Sequence, residues 1–119
     1  MTSLKHYTAS ELTNHALHEL TNMGCTVWRQ NNLAVRGRKF IGKKGMPDII
    51  GYDKSGYSVY CEVKTINDKL SQDQVNFMTD AMYNLCHVFI CLQEKDLKVK
   101  FINWRTFIDA LIKLEQDKV

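Results

Sequence analysis

Two short β-type runs joined by a turn sequence are the feature that most constrains how this chain folds. The first run covers residues 48–52 and follows Pro47, and the second covers 57–64. The residues between them, 53–56, read Asp-Lys-Ser-Gly, which is typical of a turn. Because proline is tolerated at a sheet edge, the pattern predicts an antiparallel hairpin with a four-residue loop.

The predicted hairpin brings two carboxylates close together. If Tyr52 pairs with Tyr57 across the turn, Asp48 lies opposite Cys61 and next to Glu62. Like charges at this separation repel, and one carboxyl group then has a raised pKa unless a cation lies between them. Converging carboxylate oxygens suit a hard cation such as Mg²⁺. The hairpin therefore predicts a candidate metal site at one of its ends.

Lys64 adds an ammonium group to this site. Side chains alternate between the faces of a strand, so Glu62 and Lys64 point the same way. A metal-bound water can attack a phosphorus centre, and a lysine can orient that water or stabilise developing charge. The alternative is a solvated strand face with Asp48 as a turn residue. The short Glu-x-Lys motif alone favours that alternative, and the hairpin together with the basic segment that precedes it favours a site.

The rest of the chain predicts an α/β fold with one domain, residues 1–119. Apolar spacing and breakers give the element order α-β-β-β-α-β-β-α, in which a mixed β-sheet is flanked by helices. The predicted helices are 8–23, 71–85 and 104 to about 114. The other predicted strands are 25–30, 87–92 and 98–102, with a further short strand considered at 33–36.

Two of the predicted helices begin with a capping box. Thr8 with Glu11, and Ser71 with Gln74, have the S/T-x-x-E/Q spacing in which the side chain and backbone of each pair bond reciprocally. Capping explains Glu11 and Gln74 without any further role. A capping side chain can still point into a site at the helix N-terminus, so the two interpretations are compatible.

Charge is unevenly distributed along the chain. The net charge is only +3, yet no acidic residue lies between Glu19 and Asp48. Such a segment attracts phosphate backbones, although a solvated loop, turning or mobile at Gly37, Gly42 and Gly45, is the alternative. The basic residues of this stretch are Arg29, Arg36, Arg38, Lys39, Lys43 and Lys44.

Composition excludes several classes of protein. A hydrophobic fraction of 45% and a charged fraction of 24% are ordinary for a globular domain and exclude disorder and collagen-like repeats. No apolar run is long enough for a membrane helix, and the polar first ten residues predict no signal peptide. We therefore expect a cytoplasmic protein with no membrane partner. The four cysteines are interpreted as free thiols; a thiol or zinc site at Cys86, His87 and Cys91 is the least favoured class.

Three motifs together resemble a known nuclease superfamily. They are Gly45-Met-Pro-Asp48-Ile-Ile-Gly51, Tyr60-Cys-Glu62-Val-Lys64 and Leu70-Ser-Gln-Asp-Gln74-Val-Asn-Phe77. They resemble the PD-(D/E)XK superfamily, and within it the VRR-NUC family of virus-type replication-repair nucleases. The resemblance covers residues 8–104. Short stand-alone members, common in phages, are similar in length to this chain.

The resemblance implies a restriction-endonuclease-like fold and a set of site residues. Asp48 and Glu62 match metal-binding carboxylates, joined by the backbone carbonyl of Val63, and Lys64 matches the catalytic lysine. Glu11 matches a glutamate near the metal, and Gln74 a glutamine on the helix after the lysine strand. Lys43 and Lys44 fall where the family carries basic residues that contact DNA. The implied cofactor is Mg²⁺ or Mn²⁺, and stand-alone members tend to be dimers.

The sequence therefore predicts a metal-dependent DNA endonuclease, selective for Holliday junctions or other branched DNA in replication, recombination or repair. If the chain is encoded by a phage, it would act in the host cytoplasm. A homodimer would place two sites on two symmetric strands of a junction. A restriction-type nuclease is a second enzymatic interpretation. The alternative from another class is a non-catalytic DNA-binding module on the same fold.

Overall fold

The computed structural model describes residues 5–30 and 44–118. Within these ranges the chain forms three helices and five strands around one mixed sheet. The helices are α1 (Ala9–Asn22), α2 (Gln72–Tyr83) and α3 (Trp104–Asp117). The strands are β1 (Thr26–Arg29), β2 (Ile49–Tyr52), β3 (Ser58–Lys64), β4 (His87–Gln93) and β5 (Val99–Asn103). The expected short strand at 33–36 lies outside the described residues.

The five strands form a sheet in the order β1-β2-β3-β4-β5. Neighbouring strands are antiparallel except for β3 and β4, which run parallel. A parallel pair needs a long crossover, and α2 supplies it. The predicted mixed sheet flanked by helices is therefore present.

Each face of the sheet is covered by different helices. Helix α1 packs on one face through Leu12, Ala16 and Leu20, all fully buried, against strand residues such as Ile49 and Cys61. Helices α2 and α3 pack on the other face, where Met78 and Trp104 are fully buried. The Trp104 indole N–H donates to Oγ1 of Thr79 across 3.1 Å and joins the two helices. We call these the α1 face and the α2/α3 face.

The helix starts follow the predicted capping boxes. The Thr8 hydroxyl accepts from the Glu11 amide, the Ser71 hydroxyl accepts from the Gln74 amide, and both boxes are complete. Helix α1 ends where Gly24 has a φ of +91°, as expected for a glycine stop. Helix α3 runs past the predicted end near residue 114, because nothing between there and Asp117 breaks it. No helix in the described ranges is long and apolar enough to cross a bilayer.

The hairpin between β2 and β3 is antiparallel as predicted, but its predicted register is wrong by one residue. Tyr52 pairs with Ser58, and Ile49 pairs with Cys61. The turn sets this register: Asp53 and Tyr57 close it through a backbone hydrogen bond of 2.9 Å. The loop is therefore three residues long rather than four, with Gly56 in the left-handed region at φ +89°.

Candidate active site

The corrected register places Asp48 directly across from Glu62. Ile49 pairs with Cys61, so the next position along the ladder sets Asp48 opposite Glu62, rather than opposite Cys61. Both side chains lie on the α2/α3 face, because alternate residues of a strand share a face. The Asp48 carboxylate is held by the backbone amide of Val63, which donates to its Oδ2 across 2.8 Å. The two carboxyl groups are therefore on directly opposed residues, whereas the sequence predicts them on residues offset by one position.

Glu62 is a buried acid in an unfavourable place for negative charge. Its side chain is 1% exposed. Burial, together with a hydrogen bond to and charge repulsion from the neighbouring Asp48, raises the pKa of Glu62 to about 9. The Lys64 ammonium and the Val63 amide oppose this shift. In the metal-free protein Glu62 is therefore protonated at neutral pH.

One oxygen of Glu62 lacks a donor. Among the described residues, Oε2 of Glu62 is buried and receives no hydrogen bond. A second ionised carboxylate has no proton to donate, so Asp48 satisfies this oxygen only when a proton or a cation lies between them. Buried polar atoms are normally paired, so this oxygen is a candidate position for a cation or a water molecule.

Gln74 links the N-terminus of α2 to Asp48 and Glu62, which we call the acid pair. Its Oε1 accepts from the Ser71 amide at 2.9 Å and completes the capping box. Its Nε2 donates to Oε1 of Glu62 at 3.3 Å. Capping and contact with Glu62, which the sequence leaves compatible, are thus performed by the oxygen and the nitrogen of one side-chain amide.

Lys64 lies on the same face as Glu62, at the end of β3. Its Nζ donates to the backbone carbonyl of Lys69 across 3.3 Å. Thr65 and Asp68 brace the intervening loop, because the Thr65 hydroxyl donates to Oδ2 of Asp68 at 2.7 Å. The ammonium is thereby held near the acid pair by charge and by the loop, without a direct ion pair to Glu62 among the described contacts.

The segment before Asp48 packs tightly on α2. Gly45 has a φ of +81°, and a Cβ placed there would lie 2.2 Å from the carbonyl oxygen of Asp73. Pro47 is fully buried. This close approach fixes Asp48 relative to the helix that supplies Gln74. The sequence alone does not predict this contact, although the Gly-x-Pro-Asp motif is a signal for it.

Other predicted site residues either make their described hydrogen bonds and ion pairs elsewhere or fall outside the described residues. Oε1 of Glu11 accepts from the Thr8 amide at 3.1 Å, and its Oε2 pairs with Lys5 at 2.6 Å. Lys44 is exposed and lines a cavity with residues of α2, among them Asp73 and Asn76. Arg36, Arg38, Lys39 and Lys43 are outside the described residues, and the predicted roles of Glu11 and of the Val63 carbonyl stay predictions.

The cysteine–histidine alternative does not form one site. Cys86 packs on the α2/α3 face, whereas Cys91 is buried on the α1 face. His87 pairs with Asp53 through Nε2 at 2.8 Å. Ligands on opposite faces of a sheet cannot hold one ion.

The acid pair fits a hard cation better than a structural zinc ion. No group of three or more His, Cys, Asp or Glu side chains in residues 5–30 and 44–118 is arranged to hold a metal. Two carboxylates are present, one with an unsatisfied buried oxygen. Mg²⁺ is commonly bound through one or two carboxylates, several waters and substrate phosphates, whereas structural zinc takes four protein ligands. The residues present therefore fit a Mg²⁺-type ion.

The fold resembles that of a DNA-processing enzyme. Hjc, a Holliday junction resolvase from the archaeal hyperthermophile Archaeoglobus fulgidus, matches with a TM-score of 0.51 over 79% of this chain and 75% of that chain. Sequence identity over the match is 20%, so the likeness shows the fold alone. No family profile matches the sequence, and no curated protein matches it. The mixed sheet flanked by helices is consistent with a restriction-endonuclease-like fold, and the VRR-NUC resemblance stays a prediction.

Proposed function

We propose that this chain is a divalent-metal-dependent nuclease that hydrolyses DNA phosphodiester bonds. One observation carries the proposal: the Asp48 and Glu62 carboxyl groups meet at a buried point where an oxygen of Glu62 has no donor among the described residues. Burial and the neighbouring Asp48 raise the pKa of Glu62, so a proton is retained there, and a cation would replace that proton. The three motifs around these residues and the resolvase-like fold support the same function.

Asp48 and Glu62 would hold Mg²⁺ or Mn²⁺, with the Val63 carbonyl as a further ligand by resemblance. A cation bound there supplies Lewis-acid stabilisation of the phosphate and lowers the pKa of a coordinated water. The Val63 amide keeps Asp48 in place through its 2.8 Å hydrogen bond. Gln74 fixes the other acid by donating to Oε1 of Glu62, which leaves Oε2 free for the ion.

Lys64 would supply positive charge next to the reacting phosphate. Its ammonium lies on the same sheet face as Glu62 and close enough to lower the pKa of that acid. Preorganised charge is most effective where negative charge develops in the transition state. The Lys69 carbonyl holds the ammonium beside the acids in the absence of DNA.

We propose branched DNA, such as a four-way junction, as the substrate class. The fold likeness to a Holliday junction resolvase supports this choice. The basic residues between Gln30 and Lys44 precede Asp48 in the sequence, with no acidic residue among them. They would contact the phosphate backbone without reading bases. A homodimer would place one site on each of two symmetric strands of a junction and cut both. Cutting of branched DNA would in turn serve replication, recombination or repair.

A cleavage panel tests the proposed function. End-labelled four-way junction, flap, splayed-arm, linear duplex and single-stranded DNA would each be incubated with purified protein and Mg²⁺, Mn²⁺ or EDTA. We expect metal-dependent cutting of branched DNA that Asp48→Ala abolishes. Branched DNA that is bound but never cut would contradict the proposal and favour the non-catalytic DNA-binding module.

Glu11 enters the proposal only through the resemblance, and a conservative variant tests its role. Glu11→Gln retains an oxygen that accepts from the Thr8 amide, so the capping box can persist. Lost cleavage with an unchanged melting temperature would assign Glu11 to the site. Unchanged cleavage would leave it as a capping residue paired with Lys5.

A further inference from the structure

Two exposed aromatic residues lie on the same face of the sheet as the acid pair. Trp28 pairs with Ile50 in the β1–β2 ladder, and one step further the Gln30 amide donates to the Asp48 carbonyl at 2.7 Å. Side chains two residues apart on a strand share a face, so Trp28 and Asp48 are diagonal neighbours on the α2/α3 face. Tyr52 lies on the same face, on the other side of Ile50.

The rings of Trp28 and Tyr52 form an exposed pair, which we call the aromatic pair. Their centroids lie 6.2 Å apart with the planes at 70°, an edge-to-face arrangement. Trp28 is 46% exposed and Tyr52 is 49% exposed. Among the described residues, the core on this face draws on α2, α3 and the strands from β3 to β5, and not on β1 or β2. Large rings are thus left on an open part of the sheet beside the site.

We propose that the aromatic pair stacks an unpaired nucleobase of the DNA held at Asp48 and Glu62. This inference rests on the proposed function, and it names what the site recognises in its substrate. Aromatic side chains bind single-stranded nucleic acid by stacking, because every base has a π-face. In a continuous duplex those faces are covered by neighbouring base pairs. The aromatic pair therefore selects DNA with unpaired nucleotides near the cut, such as a flap or an open branch point.

Two observations favour a nucleic acid over another occupant. The chain between Gln30 and Lys44 carries Arg36, Arg38, Lys39 and Lys43 and no acidic residue, and the Gln30 amide at its start donates to the Asp48 carbonyl. This charge complements a polyanion. A second copy of the chain seated on the aromatic pair would instead cover the face that carries the carboxylates and would close the site to DNA.

Tryptophan fluorescence tests the stacking directly, because Trp28 is half-exposed while the other tryptophan, Trp104, is fully buried. The protein would be titrated in EDTA, where binding occurs without cutting. The probes are a blunt duplex and the same duplex with a short unpaired flap. We expect the flap duplex to quench the emission, and the blunt duplex to leave it unchanged.

Variants separate stacking from general DNA affinity. We expect Trp28→Leu to weaken flap binding about tenfold and to leave blunt-duplex binding unchanged. Tyr52→Leu should act in the same direction and serves where the tryptophan variant fails to fold. Tyr83→Ala removes an aromatic side chain that is 69% exposed elsewhere, and it should bind both DNAs like the wild type.

The outcomes for the aromatic pair and for the nuclease are distinguishable. Flap binding without quenching, or an equal loss of affinity for both DNAs in Trp28→Leu, would overturn the stacking proposal even if the wild type cuts DNA. Flap-specific quenching in a protein that cuts no substrate would support the stacking and refute the proposed nuclease.

Discussion

The side-chain amide of Gln74 donates to Oε1 of Glu62 across 3.3 Å while its own oxygen caps α2 through the Ser71 amide. One residue thus couples the start of a helix to the orientation of a buried acid. The helix supplies the rigidity, and the acid gains a fixed hydrogen-bond donor. Loss of the capping bond is therefore expected to lower stability, and loss of the bond to Glu62 is expected to lower activity.

Gln74→Glu should separate the two roles of this residue. A glutamate still accepts from the Ser71 amide, so the capping box persists, but it no longer donates to Glu62 and adds a further negative charge there. We expect cleavage to fall at least about tenfold while the helix start is retained. Ser71→Ala is the matched control and should cost about 1 kcal/mol of stability with near-normal cleavage. Equal activity in the two variants would contradict a role for Gln74 in the site.

The raised pKa of Glu62 predicts how stability depends on pH. Burial, followed by Asp48, raises this pKa from 4.5 to about 9. Between these values the folded protein binds a proton that the unfolded chain has lost, so the free energy of unfolding falls as pH rises. Below pH 4.5, the ordinary pKa of a glutamate, Glu62 is protonated in both the folded and the unfolded protein. The free energy of unfolding then no longer changes with pH through this group.

Melting curves in EDTA test this dependence with Glu62→Gln as the comparison. Glutamine cannot ionise, so the variant should become more stable than the wild type as pH rises through this window. Near neutral pH we expect its melting temperature to be higher by several degrees, since about 1 kcal/mol shifts a domain of this size by about 4 °C. A difference in melting temperature that does not change with pH would show that Glu62 is not a buried, protonated acid.

Gly45→Ala should disturb both folding and the site. The new Cβ would meet the Asp73 carbonyl oxygen at 2.2 Å in a residue whose φ is +81°. Gly56→Ala is a close control, because its φ is +89° but nothing lies within 4 Å of a Cβ there. We expect the control to lose about 1 kcal/mol from backbone strain alone and to cleave normally. Gly45→Ala should lose more stability and most of its cleavage, and similar behaviour of the two variants would refute the close packing on α2.

Lys64→Met should slow the chemical step more than it weakens binding. The variant keeps the length of the side chain and removes the charge next to Glu62. Loss of one preorganised charge at a reacting group lowers kcat by about 100-fold or more. Single-turnover rates and binding in EDTA would be measured with Lys69→Met as the control, because only the backbone of Lys69 contacts Lys64. A change in binding alone would place Lys64 in substrate capture.

Local patterns explain why so much of this fold is predictable. Alternation placed Glu62 and Lys64 on one face and Cys61 on the other, because the side-chain period of a strand depends only on neighbouring residues. Both capping boxes formed where Thr8 and Ser71 predicted them. Signals of this kind lie within a few residues and need no knowledge of the rest of the chain.

The errors arise where side chains or distant segments decide the geometry. The hairpin register was wrong because Oδ1 of Asp53 accepts from the amides of both Ser55 and Tyr57, which tightens the loop to three residues. The packing of Gly45 on Asp73 joins positions far apart in sequence. Trp28 and Tyr52 are about half-exposed. The sequence does not predict this exposure, because strand periodicity does not show which part of a face the helices leave open.

Cleavage of a four-way junction by three proteins tests the central claim most directly. Wild type, Asp48→Asn and Asp109→Asn would be compared under single-turnover conditions in Mg²⁺ and in EDTA. Asp109 is exposed on α3 and serves as the control for removing one carboxylate. We predict cutting in Mg²⁺ by the wild type and Asp109→Asn, and none by Asp48→Asn or by any protein in EDTA. Cutting by Asp48→Asn at the wild-type rate, or cutting in EDTA, would contradict the proposed site.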